Sequence, residues 1–163
     1  MGKYVIQLHA ATRLHYDFRI QIGRVLKSWA IPKGPSLSTK DKRLAVPTED
    51  HSLSYFDFEG HIPEGQYGAG TVLLWDIGTY RNIHRNKQGK IMPMEECFKE
   101  GHIEIEIEGE KLKGGFALFR FREDNWLLVK KKDQHASDKS NIVTAKPHSV
   151  KSNKTLDQLK QLL

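Results

Sequence analysis

The sequence predicts a mainly β protein, a small closed antiparallel β-barrel with one or two short helices. Three observations predict it. Residues 14–22 alternate strictly, with Leu14, Tyr16, Phe18, Ile20 and Ile22 apolar and His15, Asp17, Arg19 and Gln21 polar, and a period of two belongs to a strand with two different faces. Short apolar runs of the same kind recur along the 163 residues, whereas helical spacing is scarce. Connections as short as Gly23-Arg24 and Gly109-Glu110 suit hairpins, so neighbouring strands are antiparallel, and many short antiparallel strands hide their edges by closing on themselves.

Taken in order, strands are expected over Tyr4 to Leu8, Leu14 to Ile22, Val25 to Ile31, Arg43 to Val46, Thr71 to Trp75, His102 to Glu108, Lys111 to Phe121 and Trp126 to Lys130. The run "HIEIEIEGEKLKGGFALFRF" is the clearest: Ile103, Ile105 and Ile107 point inward, while His102, Glu104, Glu106 and Glu108 point to solvent. Two stretches rich in Gly, Pro, Ser and charge, "KGPSLSTKDKR" and "GHIPEGQYGAG", read as ordered loops, and loops on a rigid sheet often carry function. A short helix is expected around Met94 to Lys99. Another is expected near Thr155 to Leu162, where Leu156, Leu159, Leu162 and Leu163 approximate helical spacing. Between them the chain is polar and lysine-rich, so residues 1–132 are expected to form the barrel domain. Residues 133–163 are expected to be a linker or tail ending in that helix.

Composition narrows the function. With 26 Lys and Arg against 20 Asp and Glu, the net charge of +6 favours an anionic partner. The single Cys97 excludes an intramolecular disulfide framework, and a reducing, cytoplasmic setting is the expectation. No run approaches the ~18 consecutive apolar residues of a membrane span.

The polar face of the strand 14–22 poses the chemical question. His15 and Asp17 are two residues apart, hence on one face with Cα atoms about 6.5 to 7 Å apart, and both can reach one ion. His9 lies six residues upstream across "AATRL", a length suited to a crossover that returns its imidazole to that face. Two imidazoles and a carboxylate suit manganese, iron, cobalt or zinc and leave coordination positions open. Arg19 beside such ligands is electrostatically unfavourable unless an anion is shared, and a phosphate satisfies both. "EDHSLSYFDFEGHIPEG" adds Glu49, Asp50, His51 and Tyr55. His51 is suited to donate a proton or to bind phosphate. Lys33 and Arg43 offer two further cations at loop or strand ends, while His61, His84, His102, His135 and His148 read as structural or exposed.

The motifs "RLHYDFR", "WAIPKGPS", "EDH" and "IPEGQYGAG" carry a resemblance over about residues 4–130. The chain resembles the 3'-phosphoesterase domain of the bacterial DNA ligase D of non-homologous end joining, and its stand-alone relatives. The resemblance implies a β-barrel hydrolase of DNA repair, which removes a 3'-terminal ribonucleoside as a phosphodiesterase and the resulting 3'-phosphate as a phosphomonoesterase. It implies manganese (Mn2+), with Co2+ or Zn2+ as alternatives, held by His9, His15 and Asp17. Arg19, His51 and Tyr55 fall on the phosphate-contacting positions, and Lys33 and Arg43 on further positions important for activity. The substrate implied is a DNA primer-template with a 3'-ribonucleotide or 3'-phosphate end. The sequence holds no polymerase or ligase module, so a DNA ligase, a polymerase and end-binding repair proteins are expected as partners in trans. A non-catalytic nucleic-acid-binding barrel, using aromatics such as Trp29, Tyr67 and Trp75 for stacking, is the alternative. A metal-binding barrel acting on a small anionic metabolite is a third.

Overall fold

A computed structural model describes residues 1–162. The strands are β1 (Gly2–Ala10), β2 (Leu14–Ile22), β3 (Val25–Ile31), β4 (Lys42–Ser52), β5 (Gly60–Ile62), β6 (Gly70–Asn82), β7 (His102–Gly109), β8 (Lys113–Arg122) and β9 (Asn125–Lys130), joined by antiparallel pairings. Eight of them close in the order β1-β2-β3-β4-β9-β8-β7-β6, with β6 returning to β1. The expected closed antiparallel barrel is therefore the observed one. β6 is long because it serves three neighbours: β1 along one edge, and β5 and β7 along two stretches of the other.

β2 and β3 span the ranges their alternation predicts. β4 and β6 run further than expected, because their extensions, Pro47 to Ser52 and Asp76 to Asn82, are polar and carry no apolar alternation. β5 was not anticipated; it is a three-residue pairing inside the expected loop 60–70. Phe18, Ile20, Trp29, Ile103, Ile105, Ile107, Phe116 and Trp126 fill the interior. The helix α1 (Met94–Glu100) sets Phe98 against Trp29 and Trp126, with ring centroids 5.9 and 5.7 Å apart. It ends at Gly101, whose φ of 79° is the left-handed conformation that lets its N–H reach the carbonyls of Cys97 and Phe98. Trp29 and Trp75 are 1% and 0% exposed, so neither is a surface stacking platform.

Asp76, also fully buried, organises the barrel from within. It accepts the Tyr4 hydroxyl at 2.8 Å and the backbone N–H groups of Glu110, Lys111 and Leu112 at 2.8 to 2.9 Å, pinning the β7–β8 turn to β1. Burial, and then the adjacent Asp76 charge, push the Tyr4 phenol well above its ordinary value.

Residues 133–162, read from sequence as a linker or tail, lie against the barrel. A short helix α2 (Ile142–Ala145), capped by Asn141, buries Ile142 and Val143, and α3 (Leu156–Leu162) buries Leu159. Between them the Lys146 carbonyl accepts Trp75 Nε1–H at 2.8 Å, and Val150 N–H donates to the Leu74 carbonyl at 2.9 Å. The helix α3 falls where the leucine spacing predicts it, whereas the few apolar residues from 133 to 155 have no period, so only tertiary contacts reveal their partners. Leu163, counted with the final helix in the sequence, lies outside the described residues.

Where this segment leaves the barrel, the Lys130 ammonium is wholly buried, over the Phe116 ring, and bonded to Asp133 at 2.6 Å. Burial raises the Asp133 carboxyl, but the Gly115 N–H, Lys130 and the His135 N–H outweigh it and lower it to about 2. Asp133→Ala, which strands a buried cation, is expected to cost about 3 to 5 kcal/mol in urea unfolding. A folded-state pKa below the unfolded one gives stability that is present above the unfolded value and lost on acidification. The difference between the parent and Asp133→Asn should therefore shrink as pH falls from 3.8 through about 2; a pH-independent difference would rule out this ion pair as its source.

Candidate active site on the outer wall of the barrel

The register of three strands builds the site. His9 pairs with His15 and Gln7 with Asp17 across β1 and β2, while Asp17 pairs with Ala30 and Arg19 with Ser28 across β2 and β3. These odd-numbered residues of β1 and β2 share the outward face, because their even-numbered neighbours Ile6, Leu8, Phe18 and Ile20 fill the interior. Small Ala30 leaves room above the sheet. The result is a hollow of about 400 Å³, lined by His9, His15, Asp17, Arg19, His51, Tyr55 and Tyr67 among others.

This outward face is not open to solvent, as its polarity suggests in sequence. Asp17 and Arg19 are 4% and 3% exposed. The connection from Ser52 to Gly70, which begins with a 3-10 turn at Leu53–Tyr55, lies over it. Gln7 ties the two together: its amide donates to the carbonyls of Tyr55 and Phe58 at 3.2 and 3.1 Å, while its side-chain oxygen accepts Arg19 Nε–H at 2.7 Å. Gln7 was missed in the sequence, although its i, i+2 relation to His9 on one strand is the signal that marks it.

His9 and His15 are both held by their far nitrogens. His9 Nε2 bonds to the Ala69 carbonyl at 3.1 Å, and His15 Nδ1 to the Arg13 carbonyl at 3.0 Å. A carbonyl can only accept, so in neutral rings those nitrogens carry the protons and the other two are lone-pair donors. Those donors converge on Asp17, His9 Nδ1 at 3.5 Å and His15 Nε2 at 3.2 Å. One ligand atom from each of the three residues lies within 4.8 Å of the others. Two imidazoles and a carboxylate in that arrangement fit a divalent transition-metal ion.

Arg19 lies on the other side of Asp17, with Nη2 3.3 Å from its carboxylate and Nη1 3.1 Å from His51 Nδ1. Burial raises the Asp17 carboxyl, but the hydrogen bonds that the His15 and His9 rings give it when they carry a second proton, followed by the Arg19 charge, outweigh it and hold the group well below the carboxylate range. The Asp17 hydrogen bond is also the chief reason His15 is raised. His51 is lowered, first by burial and then by Arg19, and burial raises Tyr55. His51 Nδ1 stands between a donor, Arg19, and an acceptor, the Glu49 carbonyl at 3.0 Å, so either tautomer finds a partner. The Arg19 guanidinium also sits over the Tyr55 ring, 5.3 Å from its centroid.

Six of the eight residues singled out in the sequence thus meet in one hollow. Lys33 and Arg43 do not. Both line a separate hollow with Pro32, Lys42 and Leu44; Lys33 is exposed, and Arg43 pairs with Asp41 at 3.5 Å while its buried Nε lacks a partner among the described residues. Of the aromatics named for stacking, Tyr67, 66% exposed, is the one that borders the site.

A closed antiparallel barrel with an imidazole and carboxylate cluster beside a caged guanidinium defines a class: a barrel whose outer wall is suited to a metal cation and an anion together. The chain belongs to the DNA ligase D 3'-phosphoesterase domain family, which it matches over residues 7–120. It is 44% identical over 160 residues to the multifunctional non-homologous end joining protein LigD of Pseudomonas aeruginosa, covering 94% of this chain and 18% of that protein. The protein of the same name from Mycolicibacterium smegmatis is 42% identical over 132 residues, 81% of this chain and 17% of its own length. The multifunctional non-homologous end joining DNA repair protein LigD of Mycobacterium tuberculosis is 40% identical over 144 residues, 85% and 18% respectively. The chain thus spans less than a fifth of the length of these relatives.

Gln7→Leu keeps the bulk of the side chain and removes its three hydrogen bonds. Unpaired buried polar groups cost about 1 to 3 kcal/mol each, so the variant is expected to lose about 2 kcal/mol or more in urea unfolding, with faster amide exchange in residues 53–69. A variant as stable and as protected as the parent would show that other contacts hold the roof.

Proposed function

We propose that this protein heals 3' ends of DNA in non-homologous end joining, as a metal-dependent phosphoesterase that leaves a 3'-hydroxyl. The observation that carries the reading is the meeting of His9, His15 and Asp17 with Arg19 and His51 in one hollow, inside the segment that matches the phosphoesterase family. His9, His15 and Asp17 are the residues that hold the metal, with Mn2+ as the ion and Co2+ or Zn2+ able to substitute. A bound divalent ion supplies Lewis-acid polarisation of a phosphoryl oxygen.

The protein's own groups do the rest. Arg19 has five N–H donors, of which Gln7, Asp17 and His51 engage three. That leaves one on each Nη for two oxygens of a phosphate, in a fork fixed before the substrate arrives. His51, lowered and therefore neutral near pH 7, accepts a proton from the attacking group or returns one to the leaving oxygen. Tyr55, raised and therefore protonated, donates to a phosphoryl oxygen. Lys33 and Arg43, outside the hollow, act on the DNA backbone beyond the reacting phosphate. Within this reading residues 1–132 are the catalytic unit and 133–162 a strap on it, and a ligase, a polymerase and end-binding proteins act with it.

Both a phosphodiester and a phosphomonoester fit such a site, because both transition states spread charge over the phosphoryl oxygens. A primer-template whose primer ends in a ribonucleotide should lose the terminal nucleoside first, water attacking the phosphorus and the nucleoside 5'-oxygen leaving with a proton, and then the 3'-phosphate. A timed gel of a 5'-labelled primer with added Mn2+ should reveal that 3'-phosphate intermediate. Loss of an intact nucleotide without the intermediate, or no product with any of the three metals, would refute the mechanism. Arg19→Lys keeps the charge but not the fork, so its rate should fall about 10- to 100-fold. His51→Ala should slow the two steps unequally, measured separately on ribonucleotide-ended and 3'-phosphate-ended primers.

A further inference from the structure

We infer that the protein carries a second transition-metal site, formed by His84, His102 and Glu104 on the outer face of β7, which binds Zn2+ and ties the segment 83–93 to the barrel. β6 separates β7 from β1, and the cluster stands at the opposite end of β6 from the candidate active site: His9 lies opposite Val72, whereas Asn82, ten residues further along β6, lies opposite Ile105 of β7.

His102 and Glu104 are two apart on β7, and their outward side chains approach to 3.3 Å between His102 Nε2 and Glu104 Oε2. His84 is delivered from the neighbouring chain. Ile83 N–H donates to the Glu104 carbonyl at 3.0 Å, so the segment leaving β6 continues along the β7 edge. The His84 backbone is fixed on both sides, its N–H by Asn82 Oδ1 at 2.9 Å and its carbonyl by Met92 N–H at 2.8 Å. Its ring is fixed too: Nδ1 bonds to the His102 carbonyl at 3.0 Å, which makes Nδ1 the protonated nitrogen of the neutral ring and Nε2 the free donor. The two rings stand 4.5 Å apart.

One ligand atom from each of the three residues lies within 4.8 Å of the others. A tetrahedral zinc ion with bonds of about 2.0 to 2.2 Å has ligand-to-ligand edges of about 3.3 to 3.6 Å. The His102–Glu104 separation already has that length, and His84 needs only a small swing of its ring. Glu104 is anchored through its other oxygen, Oε1, by Lys131, which leaves Oε2 for the ion. Lys131 also sets a limit, because an ammonium beside the site opposes a divalent cation, and His102 is half exposed. The site should therefore bind with modest affinity and keep a coordination position open to water. Imidazole with carboxylate favours zinc over the harder magnesium and calcium.

Calorimetric titration of the full chain with Zn2+, after chelator treatment, tests this. The parent should take up one more ion per chain than the double variant His84→Gln/His102→Gln, whether the outer-wall site at His9, His15 and Asp17 also fills or not. The extra ion should raise the thermal unfolding midpoint of the parent more than that of the variant. His148→Gln, which removes a lone exposed imidazole, should leave the count unchanged. Comparison of the metal-free proteins by circular dichroism verifies that the double variant is folded, and Glu104→Gln alone, should the double variant not fold, should weaken or abolish the same event. Equal zinc stoichiometry in the parent and the folded variant, or in the parent and Glu104→Gln, overturns the inference.

Discussion

The double pairing of β1 is the constraint on which the rest depends. Its one edge meets β2 and its other edge meets β6, so the strand that closes the barrel is also the strand that carries Gln7 and His9. A closed barrel has no free edge, and β1 therefore cannot shift its register without breaking two ladders. A slip of one residue would send Gln7 and His9 into the apolar interior and turn Ile6 and Leu8 outward. The position of His9 opposite His15 thus inherits the rigidity of the whole barrel. The shift in register at Ile6/Gln7 against β6 falls beside these residues, which is where irregularities that re-aim side chains are commonly found.

A buried carboxylate beside a buried guanidinium is costly to assemble, and on a barrel wall it needs a reason. Desolvation opposes the charged form of both Asp17 and Arg19. Replacing such a pair by apolar residues often leaves a protein as stable or more so, so the pair is better understood through what it prepares than through what it stabilises. Arg19 is engaged by Gln7, Asp17 and His51 in three directions, and Gln7 is itself fixed to the roof carbonyls. A cation held this way can meet an incoming anion without reorganisation, and the low dielectric that makes it expensive also strengthens such an encounter.

How much of this was legible follows from the range of each signal. Alternation is local, so β2 and β3 could be bounded to the residue and His15 and Asp17 placed on one face. The return of His9 across "AATRL" was readable because a short connection between strands brings its two ends together. Burial of that face was not readable, because alternation separates two faces without saying what covers the polar one, and the roof comes from residues 53–69. The same limit hid the role of Gln7 and the docking of Ile142 and Val143, whereas the helical spacing around Leu159 marked the terminal docking helix. Lys33 and Arg43 show the converse: they stand near the site residues in the sequence, yet β3 and β4 carry them past Ala30 and Val46 into another hollow.

The two histidine clusters extend that point. Each joins a His two residues from an acid on one strand, His15 with Asp17 and His102 with Glu104, to a second imidazole from adjoining chain. In each the second ring is fixed by a bond from one nitrogen to a backbone carbonyl. They differ in the cation beside the acid. Arg19 is buried and paired with Asp17, yet one N–H on each Nη keeps no partner among the described residues, so the hollow can hold an anion there. Lys131 is partly exposed, and water and Glu104 already answer its charge. The same three ligand types therefore support different chemistry: next to Arg19 a metal and an anion can be held together, whereas next to Lys131 only the cation has a place. Burial of the neighbouring cation, which the short His-x-acid pattern does not encode, separates a cluster with room for an anion beside a cation from one with room for the cation alone.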